Sequence, residues 1–340
     1  MNPSFSARRL LLPLTPLYQL ALGLRALRLR AGVEPVRRLR WPVVSIGNLS
    51  TGGSGKTPLA IALAQALTAR GLRVDLLSRG YGRKSKLAAR VDPAGSAEKF
   101  GDEPLLIARE TGLPVYVAAQ RYEAGLLAEA ERSADSRFLI HLLDDGFQHR
   151  QLHRDVNILL LNRRDLSDHL LPAGNLREPL SALLRATVLA VPADEPQVEQ
   201  YLRETIAIDR NSEAPRWQGP IWRLRRTMEI PSIDGPIAAF CGIARPEQFF
   251  AGLEAAGLQL AARAAFPDHH HYTAADVKRL VALAHQSAAT ALITTEKDRV
   301  RLGSLASIFP ESLPLKTARL RIEIEDETTA IDWLCGRLSP

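Results

Sequence analysis

A glycine-rich loop between an apolar run and an alanine- and leucine-rich segment carries the most specific chemistry in this sequence. Residues 43–70 read VVSIGNLSTGGSGKTPLAIALAQALTAR, which predicts a strand, a loop and a helix that Gly71 ends. Glycines let successive backbone amides surround a polyphosphate, and the helix N-terminus adds partial positive charge. The segment therefore predicts a nucleoside triphosphate site formed by Ser50, Thr51, Gly52, Gly53, Ser54, Gly55, Lys56 and Thr57.

Two side chains at the end of this loop have predicted roles of their own. Lys56 can reach the β- and γ-phosphates, and Thr57 can hold Mg²⁺. The loop departs from the full Walker A pattern, because Ser50 stands where the first glycine belongs. A structural alternative is that GGSG forms only a flexible turn, but this leaves Lys56, Thr57 and the strand and helix on either side unexplained.

A second apolar run ends in two carboxylates. Residues 138–143 read FLIHLL and are followed by Asp144 and Asp145, as in a Walker B element, whose carboxylate lies beside the Mg²⁺ of the phosphate loop. The alternative is that Asp-Asp-Gly simply makes a turn. Neighbouring strand residues point to opposite faces, so the sequence leaves open which aspartate contacts the metal.

Three further segments could contribute to a site, and each also has a purely structural interpretation. The basic loop at 79–84, RGYGRK, follows a predicted strand at 74–78 and is either a ligand-facing loop or a solvated turn. Asp102 precedes an apolar helical stretch and could serve as its N-cap. Arg177 and Glu178, in LPAGNLREP, could form a surface ion pair.

Three consecutive histidines follow Asp268 in the segment FPDHHHY. Adjacent histidines do not converge on one metal ion as residues four apart on a helix do, so a surface or cleft cluster is the better interpretation. One histidine beside Asp268 could instead take part in acid–base chemistry.

Alternating strands and helices predict an α/β fold, a P-loop NTPase-like doubly wound, mostly parallel sheet with a second, smaller α/β lobe. We expect a P-loop domain over residues 41–215 and a C-terminal α/β lobe over 216–340. The boundary is expected in a polar, proline-containing stretch that ends near Gln218.

The first 40 residues form a region of their own, rich in leucine and arginine. Its apolar part, 10–24, is predicted to be too short to span a bilayer, and no small-residue cleavage site follows it. The remaining interpretations are a basic interfacial helix on anionic lipid, which we favour, and a helix packed on the protein's own core.

Composition narrows the class of protein. A net charge of +7 and a pI near 9.7 indicate an anionic partner, which could be a nucleotide, a nucleic acid or an acidic membrane. A nucleic-acid binder is disfavoured because the chain lacks aromatic interleaving and any recognisable module. The two cysteines, Cys241 and Cys335, are far apart, which is typical of a reduced cytosolic protein.

Eight segments in order resemble the tetraacyldisaccharide 4'-kinases of lipid A biosynthesis, and Ser50 in the phosphate loop is part of that family's pattern. The resemblance covers nearly the whole chain and rests on the segments SIGNLSTGGSGKTP, LSRGYGRK, GDEP, LLDDGFQHR, LPAGNLREP, FCGIARPEQF, FPDHHHY and TTEKD.

The resemblance implies that ATP and Mg²⁺ are used to phosphorylate the 4'-hydroxyl of a lipid A disaccharide 1-phosphate, at the cytoplasmic face of the inner membrane. It also implies that residues 41–215 form a P-loop kinase domain and that a β-type linker joins it to the lobe at 216–340. The expected partners are thus the glycolipid and the membrane, with no nucleic acid and no obligate protein partner. Asp102 resembles the catalytic base and His269 its partner, whereas His270 and His271 have no implied role. Asp144, Asp145 and Glu178 resemble the carboxylates around Mg²⁺, and the residues that resemble the lining of the site are Tyr81, Arg121, Gln148, His149 and Arg177.

A membrane-recruited nucleotide-switch ATPase or GTPase is the alternative from another class. Residues 295–298, TEKD, miss the spacing of a guanine-reading N-K-x-D motif, and Thr51 stands where partitioning ATPases have lysine. Both absences count against a switch protein.

Overall fold

The computed structural model describes residues 8–131, 138–205 and 217–338. The strands are numbered in chain order. Within the described residues there are twelve strands: β1 (Val43–Asn48), β2 (Arg73–Ser78), β3 (Ala89–Arg90), β4 (Val115–Val117), β5 (Leu139–Asp144), β6 (Val156–Leu160), β7 (Val188–Pro192), β8 (Ile221–Glu229), β9 (Ile237–Cys241), β10 (Leu260–Ala265), β11 (Ala291–Thr295) and β12 (Leu315–Ile324).

Helices alternate with these strands, as the sequence predicts. The same described ranges hold eleven α-helices: α1 (Thr15–Arg30), α2 (Lys56–Ala69), α3 (Ala97–Phe100), α4 (Asp102–Thr111), α5 (Arg121–Ala130), α6 (Arg163–Ser167), α7 (Pro196–Thr205), α8 (Pro246–Ala255), α9 (Ala274–Gln286), α10 (Glu296–Leu302) and α11 (Glu327–Leu338). Short 3-10 helices occur at Arg9–Leu14, Leu180–Arg185 and Gly303–Ile308.

The chain divides into two compact units, and each unit is assembled from segments that are not consecutive in the sequence. Unit 1 comprises Met1–Ser78, Gln120–Arg225 and Ile322–Pro340, and unit 2 comprises Arg79–Ala119 and Arg226–Arg321. The chain enters unit 2 for the second time within β8 and returns to unit 1 within β12.

These units differ from the predicted domain limits in two segments. Residues 79–119 belong to unit 2 and the last strand end and α11 belong to unit 1, because each packs on elements distant in sequence. The predicted boundary at 215/216 lies outside the described residues.

Unit 1 is built on a parallel sheet with the strand order β2-β5-β1-β6-β7-β8. The strand β1 lies near the middle, buried along its whole length, so its carboxyl end delivers the phosphate loop at the edge where ligands bind in such sheets. The helix α2 packs its apolar side on β1, β2 and β5. The predicted α/β class with a mostly parallel sheet is therefore confirmed.

Unit 2 contains a smaller parallel sheet with the order β10-β9-β11-β12, and a short antiparallel pair, β3 with β4. Two apolar clusters cover this sheet, one centred on Phe240 and Tyr272 and the other on Phe249 and Phe250. The helices α4 and α10 lie against each other, although they are far apart in the sequence. Their contact brings the GDEP and TTEKD segments together.

The N-terminal helix α1 leaves its leucines exposed. Leu17, Leu20 and Leu24 expose more than half of their surface, and within α1 only Leu29 is buried. A few polar contacts hold the helix to the rest of unit 1, among them the Tyr18 hydroxyl donating to the Arg177 carbonyl at 2.9 Å. The interpretation of α1 as a helix packed into the protein's core is thus wrong.

The prediction that the N-terminal apolar region is too short to span a bilayer is also wrong, on the criterion of helix length. Arg9–Arg30 forms a continuous helical segment of 22 residues that is long and apolar enough to cross a membrane. The prediction counted only the leucine run, whereas the helix extends through the interspersed arginines.

Candidate functional site

The phosphate loop joins β1 to α2 with the backbone geometry that its glycines permit. Gly55 precedes the helix with a φ of 91°, a left-handed conformation that a side chain would strain, and Lys56 is the first helical residue. Ser50 is buried and forms an isolated bridge with Leu176, while the Thr51 amide donates to the Asn175 carbonyl at 2.8 Å. The segment around Asn175 thus braces the loop from the side.

The Lys56 ammonium lies among groups that orient it. Its Nζ is 3.0 Å from Asn48 Oδ1 and 3.5 Å from Asp145 Oδ1. Arg177 donates to both Asp145 oxygens, at 2.9 and 3.1 Å, and to Asn48 Oδ1. Lys56 and Arg177 therefore share two acceptors, the amide oxygen of Asn48 and the carboxylate of Asp145.

Asp145 is held in its ionised form. Burial opposes ionisation, but the charge of Lys56 and the hydrogen bonds from Arg177 outweigh it and keep the pKa of Asp145 far below its usual range. Asp145 also has a φ of 50°, which is strained for a residue with a side chain. The turn after β5 thus aims this carboxylate at Lys56 and Arg177.

Asp144, by contrast, lies beside the loop threonine. Thr57 Oγ1 is 3.5 Å from Asp144 Oδ2, and both residues are buried. A hydroxyl and a carboxylate oxygen are the donors that Mg²⁺ takes from a phosphate-loop protein, with nucleotide phosphates and water completing the shell. Within the described residues no group of three or more His, Cys, Asp and Glu side chains is placed to hold a metal ion.

The other predicted residues of unit 1 are distributed around this edge. Gln148 donates to the Asn48 carbonyl at 2.9 Å, and Arg121, the first residue of α5, is buried and acts electrostatically on Asp145. The His149 amide donates to the Gly146 carbonyl at 2.9 Å. Glu178 pairs with Arg185 at 2.5 Å, and Arg177 pairs with Asp145. The interpretation of Arg177 and Glu178 as an ion pair is therefore wrong.

Unit 2 holds the second candidate cluster, centred on Asp102. The N-cap of α4 is Gly101, with a φ of 91°, and Asp102 is the first helical residue, so the prediction that Asp102 caps this helix is wrong. Its carboxylate is buried, with 6% of its surface exposed. Asp102 Oδ1 accepts from the Glu103 amide at 2.9 Å.

His269 reaches Asp102 from the loop after β10. Its Nδ1 lies 3.0 Å from Asp102 Oδ2, and its ring lies 5.1 Å from the ring of Tyr81. The backbone at His269 has a φ of 58°, and its amide donates to the Gly242 carbonyl at 3.1 Å. A strained residue held by such contacts is typical of a functional site. His270 lies elsewhere, 3.2 Å from Asp276 Oδ2.

Arg301 completes the cluster. Its Nε donates to Asp102 Oδ2 at 2.7 Å and its Nη1 to Asp298 Oδ1 at 3.0 Å. Asp298 is fully buried and also accepts from the Tyr272 hydroxyl and the Gly242 amide, both at 3.0 Å. The nearby Lys297 pairs with Glu103 at 2.6 Å.

These contacts shift the pKa values of Asp102 and His269 in opposite directions. Burial opposes ionisation of Asp102, but the hydrogen bond from His269 and the charge of Arg301 hold the pKa of its carboxyl well below its usual range. The same hydrogen bond raises the pKa of His269, against the smaller opposing effect of burial. A charged carboxylate that orients an imidazole is the arrangement that proteins use to move a proton.

The sequence predicted most of these residues but missed three that orient them. Asn48 ends a buried strand, and a buried amide before a glycine loop was the available signal. Asp298 and Arg301 are one helical turn apart and share a face of α10, but the TTEKD segment was used only for the family resemblance and for comparison with a guanine-reading motif, with no role given to either residue. Nothing in the sequence pairs residue 301 with residue 102.

Comparison with protein families gives one match that covers almost the whole chain. The model of the tetraacyldisaccharide-1-P 4'-kinase family matches residues 7–339. A tetraacyldisaccharide 4'-kinase of Koribacter versatilis is 40% identical over 330 residues, which cover 94% of this chain and 96% of that protein. The enzyme of the same name from Aeromonas hydrophila is 38% identical over 303 residues, covering 88% and 85%.

Solved structures agree with the sequence matches. The crystal structure of LpxK from Aquifex aeolicus in complex with ATP superposes with a TM-score of 0.72 at 31% identity. The superposition covers 98% of this chain and 99% of that one.

Proposed function

The chain belongs to the tetraacyldisaccharide 4'-kinase family, and we propose how its two clusters divide the work of this lipid A kinase. The established part is an ATP-dependent phosphorylation of a tetraacyldisaccharide 1-phosphate at its 4'-hydroxyl. Unit 1 is proposed to hold the nucleotide, and unit 2 to activate the acceptor hydroxyl.

In unit 1, residues 50–57 would bind the phosphates of ATP. The loop amides and Lys56 would stabilise the charge that develops on the transferred phosphoryl group, which is the main contribution of a protein to such a reaction. The contact of Lys56 with Asn48 and Asp145 supports this role, because it orients the ammonium before ATP arrives.

Thr57 and Asp144 would hold Mg²⁺. When bound, the ion would neutralise phosphate charge and orient the β- and γ-phosphates. Asp145 is the weaker candidate as a ligand, because Arg177 occupies both of its oxygens. Glu178 is likewise engaged by Arg185, so its approach to the metal would require that pair to open.

In unit 2, the Asp102–His269 pair would take the proton of the 4'-hydroxyl as its oxygen attacks phosphorus. This pair is the observation that carries the proposal, since a buried carboxylate–imidazole pair has a use in hydroxyl activation and none in a nucleotide switch. The switch alternative gains no support from the site or from the related proteins. The residues proposed to line the substrate site are Tyr81, Arg121, Gln148, His149 and Arg177.

The N-terminal helix is proposed to place the enzyme on the cytoplasmic face of the inner membrane. Its exposed leucines would enter the interface while Arg25, Arg28 and Arg30 attract anionic headgroups. The substrate supplies the reason, because its acyl chains remain in the bilayer.

One assay tests the central proposal. The full-length protein is incubated with γ-labelled ATP, Mg²⁺ and the lipid disaccharide 1-phosphate in detergent micelles, and label is followed into the lipid. We expect a doubly phosphorylated lipid with wild-type protein and none when the 4'-hydroxyl is replaced by hydrogen. Release of labelled phosphate without labelled lipid would favour the switch alternative.

A further inference from the structure

We propose that Arg154 is a positioning residue for the carboxylates of the proposed magnesium site, and that it acts by binding the backbone of the turn that follows them. This turn comprises residues 145–149 and comes directly after β5. Its conformation determines which of Asp144 and Asp145 faces the threonine of the phosphate loop. The inference rests on the proposed function and deepens it, because Arg154 has no role in the site as described so far.

The two adjacent aspartates face different partners. Asp144 is the last residue of β5, and its Oδ2 lies 3.5 Å from Thr57 Oγ1. Asp145 begins the turn, and its carboxylate lies 3.5 Å from Lys56 and 2.9 Å from Arg177. The left-handed φ of 50° at Asp145 separates these two directions. A residue with a side chain keeps such a conformation only where the surrounding structure enforces it.

The first residues of the turn lie beside the end of β1. The Gly146 amide donates to the Ile46 carbonyl at 3.1 Å. Phe147 is buried against Gly47, where an added Cβ would lie 2.5 Å from the Cβ of Phe147. These contacts fix the turn to the strand that delivers the phosphate loop.

Arg154 binds the carbonyls of the same turn. Its Nη1 donates to the Gly146 carbonyl at 3.0 Å and to the Phe147 carbonyl at 2.9 Å, and it lies 3.4 Å from the His149 carbonyl. Gly146 is thus held through both of its backbone polar groups, with its amide on β1 and its carbonyl on Arg154. Because Asp145 directly precedes Gly146, the backbone of Asp145 is left with little freedom to change its conformation.

The guanidinium and the turn depend on each other. Burial and the charges of Arg185 and Arg150 oppose the protonated form and lower the pKa of Arg154 to about 10, so the side chain remains a cation at neutral pH. Within the described residues its hydrogen-bond acceptors are the backbone carbonyls of the turn, and none of them is a carboxylate. A largely buried charge needs directed acceptors, and buried carbonyls need a donor. The peptide groups of the turn therefore take their orientation from Arg154.

This arrangement predicts what is lost without the guanidinium. The freed carbonyls of the turn would reorient towards water, and Asp145 could leave its left-handed conformation. Asp144, the preceding residue, would then lose its fixed direction towards Thr57. The amides of the phosphate loop belong to the segment between β1 and α2 and would keep their positions. Binding of phosphate groups should therefore persist while binding of the metal weakens.

The test compares nucleotide binding with and without the metal. The dissociation constant of ATP is measured for the full-length protein by isothermal titration calorimetry, in EDTA and in excess Mg²⁺, and the ratio of the two values gives the contribution of the metal. Arg154→Met should reduce this ratio roughly 10-fold and leave the affinity in EDTA within about twofold of wild type, because a group that orients a metal ligand is lost. Arg154→Lys should reduce the ratio less, since it keeps the charge but not the fixed directions of the guanidinium donors.

The matched control is Arg109→Met. Arg109 also donates to two backbone carbonyls of one turn, those of Pro93 at 2.8 Å and Gly95 at 3.1 Å, but it belongs to unit 2. Its replacement should lower the melting temperature and leave the ratio unchanged.

Two results would overturn the inference. One is an unchanged ratio in Arg154→Met, and the other is an equal loss of ATP affinity in Mg²⁺ and in EDTA, which would make Arg154 a general support of the phosphate loop. Arg154→Gln replaces Arg154→Met if the latter does not fold. Wild-type protein that binds ATP equally well in Mg²⁺ and in EDTA would refute the proposed metal site instead.

Discussion

The two clusters differ in how the chain assembles them. The phosphate-loop cluster, the proposed nucleotide site, takes residues 50–57 from one continuous stretch that joins β1 to α2. The Asp102 cluster draws side chains from α4, from the loop after β10 and from α10. The first is a local structure formed by chain neighbours, and the second is a tertiary structure formed by elements distant in the sequence.

The electrostatic design of the two clusters is nevertheless similar. Each contains an aspartate whose pKa is depressed by nearby cations, Lys56 and Arg177 at Asp145, and His269 with Arg301 at Asp102. In unit 1 the two cations share the Asp145 carboxylate, whereas in unit 2 the Asp102 carboxylate contacts an imidazole as well as a guanidinium. The comparison teaches that a fixed carboxylate can orient either a charge or a base.

The largest effect is expected in unit 1. Lys56→Ala should lower kcat roughly 10³-fold or more, because the lysine stabilises charge in the transition state and contributes little to packing. The measurement is the initial rate of lipid labelling at saturating ATP, with thermal unfolding to check the fold. Lys278→Ala, an exposed lysine on α9, is the control. Wild-type turnover in Lys56→Ala would remove the phosphate-loop assignment.

A somewhat smaller loss is expected in unit 2. Asp102→Asn should lower kcat on the order of 10²-fold, because an amide neither stabilises the imidazolium nor fixes its tautomer. The KM for ATP should barely change, whereas the melting temperature should fall, because Arg301 loses the charge of its buried partner; both are measured beside kcat. Since Gly101 is the N-cap, a helix-capping role cannot account for a loss of rate. Near-normal kcat would remove Asp102 from the reaction.

The N-terminal helix should affect substrate capture and not the chemical step. A double change, Leu17→Glu with Leu20→Glu, should raise the apparent KM for lipid in anionic vesicles several-fold, because these exposed leucines lose their interfacial contact. The rate with micellar substrate should stay close to wild type. High salt should weaken vesicle binding of the wild type as well. Leu126→Glu, at an exposed leucine of α5, is the control, and equal co-sedimentation of all proteins would contradict membrane docking.

The smallest effect on activity is expected from a substitution of His141, a buried histidine of unit 1. His141 lies 2.6 Å from Asp75 and 3.4 Å from Glu129, and although burial opposes it, these carboxylates raise its pKa to about 9. A raised folded-state pKa means that this stabilisation is present below pH about 6.5 and is lost as pH rises through about 9.

The corresponding variant is His141→Gln. Its melting temperature should lie several degrees below wild type at pH 6, a difference of roughly 3 kcal/mol in unfolding free energy, and the two curves should converge above pH 9. Thermal unfolding followed by circular dichroism measures this. A gap that is independent of pH would show that the histidine is neutral.

The outcome of sequence-based prediction follows the same division between local and tertiary structure. The loop, the strand before it and Asp144–Asp145 were identifiable because their contacts are between chain neighbours or adjacent strands. Asp102 and His269 were assigned by resemblance alone, since 167 residues separate them and no periodicity relates them. Arg301 was missed because its function depends on which face of α10 meets α4, and a sequence does not give helix pairing.

Two local expectations failed for physical reasons. A glycine took the N-cap of α4, since Gly101 has a left-handed φ and a side chain there would lie 3.0 Å from Gly80. Asp102 was thereby left free to face other side chains. The N-terminal helix proved longer than its leucine run, because arginine is a good helix former and does not end a helix.

The order of the segments along the chain has a consequence for synthesis on the ribosome, because unit 1 contains both the first and the last segment. Every residue of unit 2 has been translated before the last part of unit 1, which includes α11 with its buried Leu334. Asp332 of this helix pairs with Arg70, and Trp333 packs edge-on against Trp222. Unit 1 therefore completes its packing only after residues 322–338 have been translated, and a premature stop after residue 321 would remove these contacts from unit 1 while every residue of unit 2 remains in the chain.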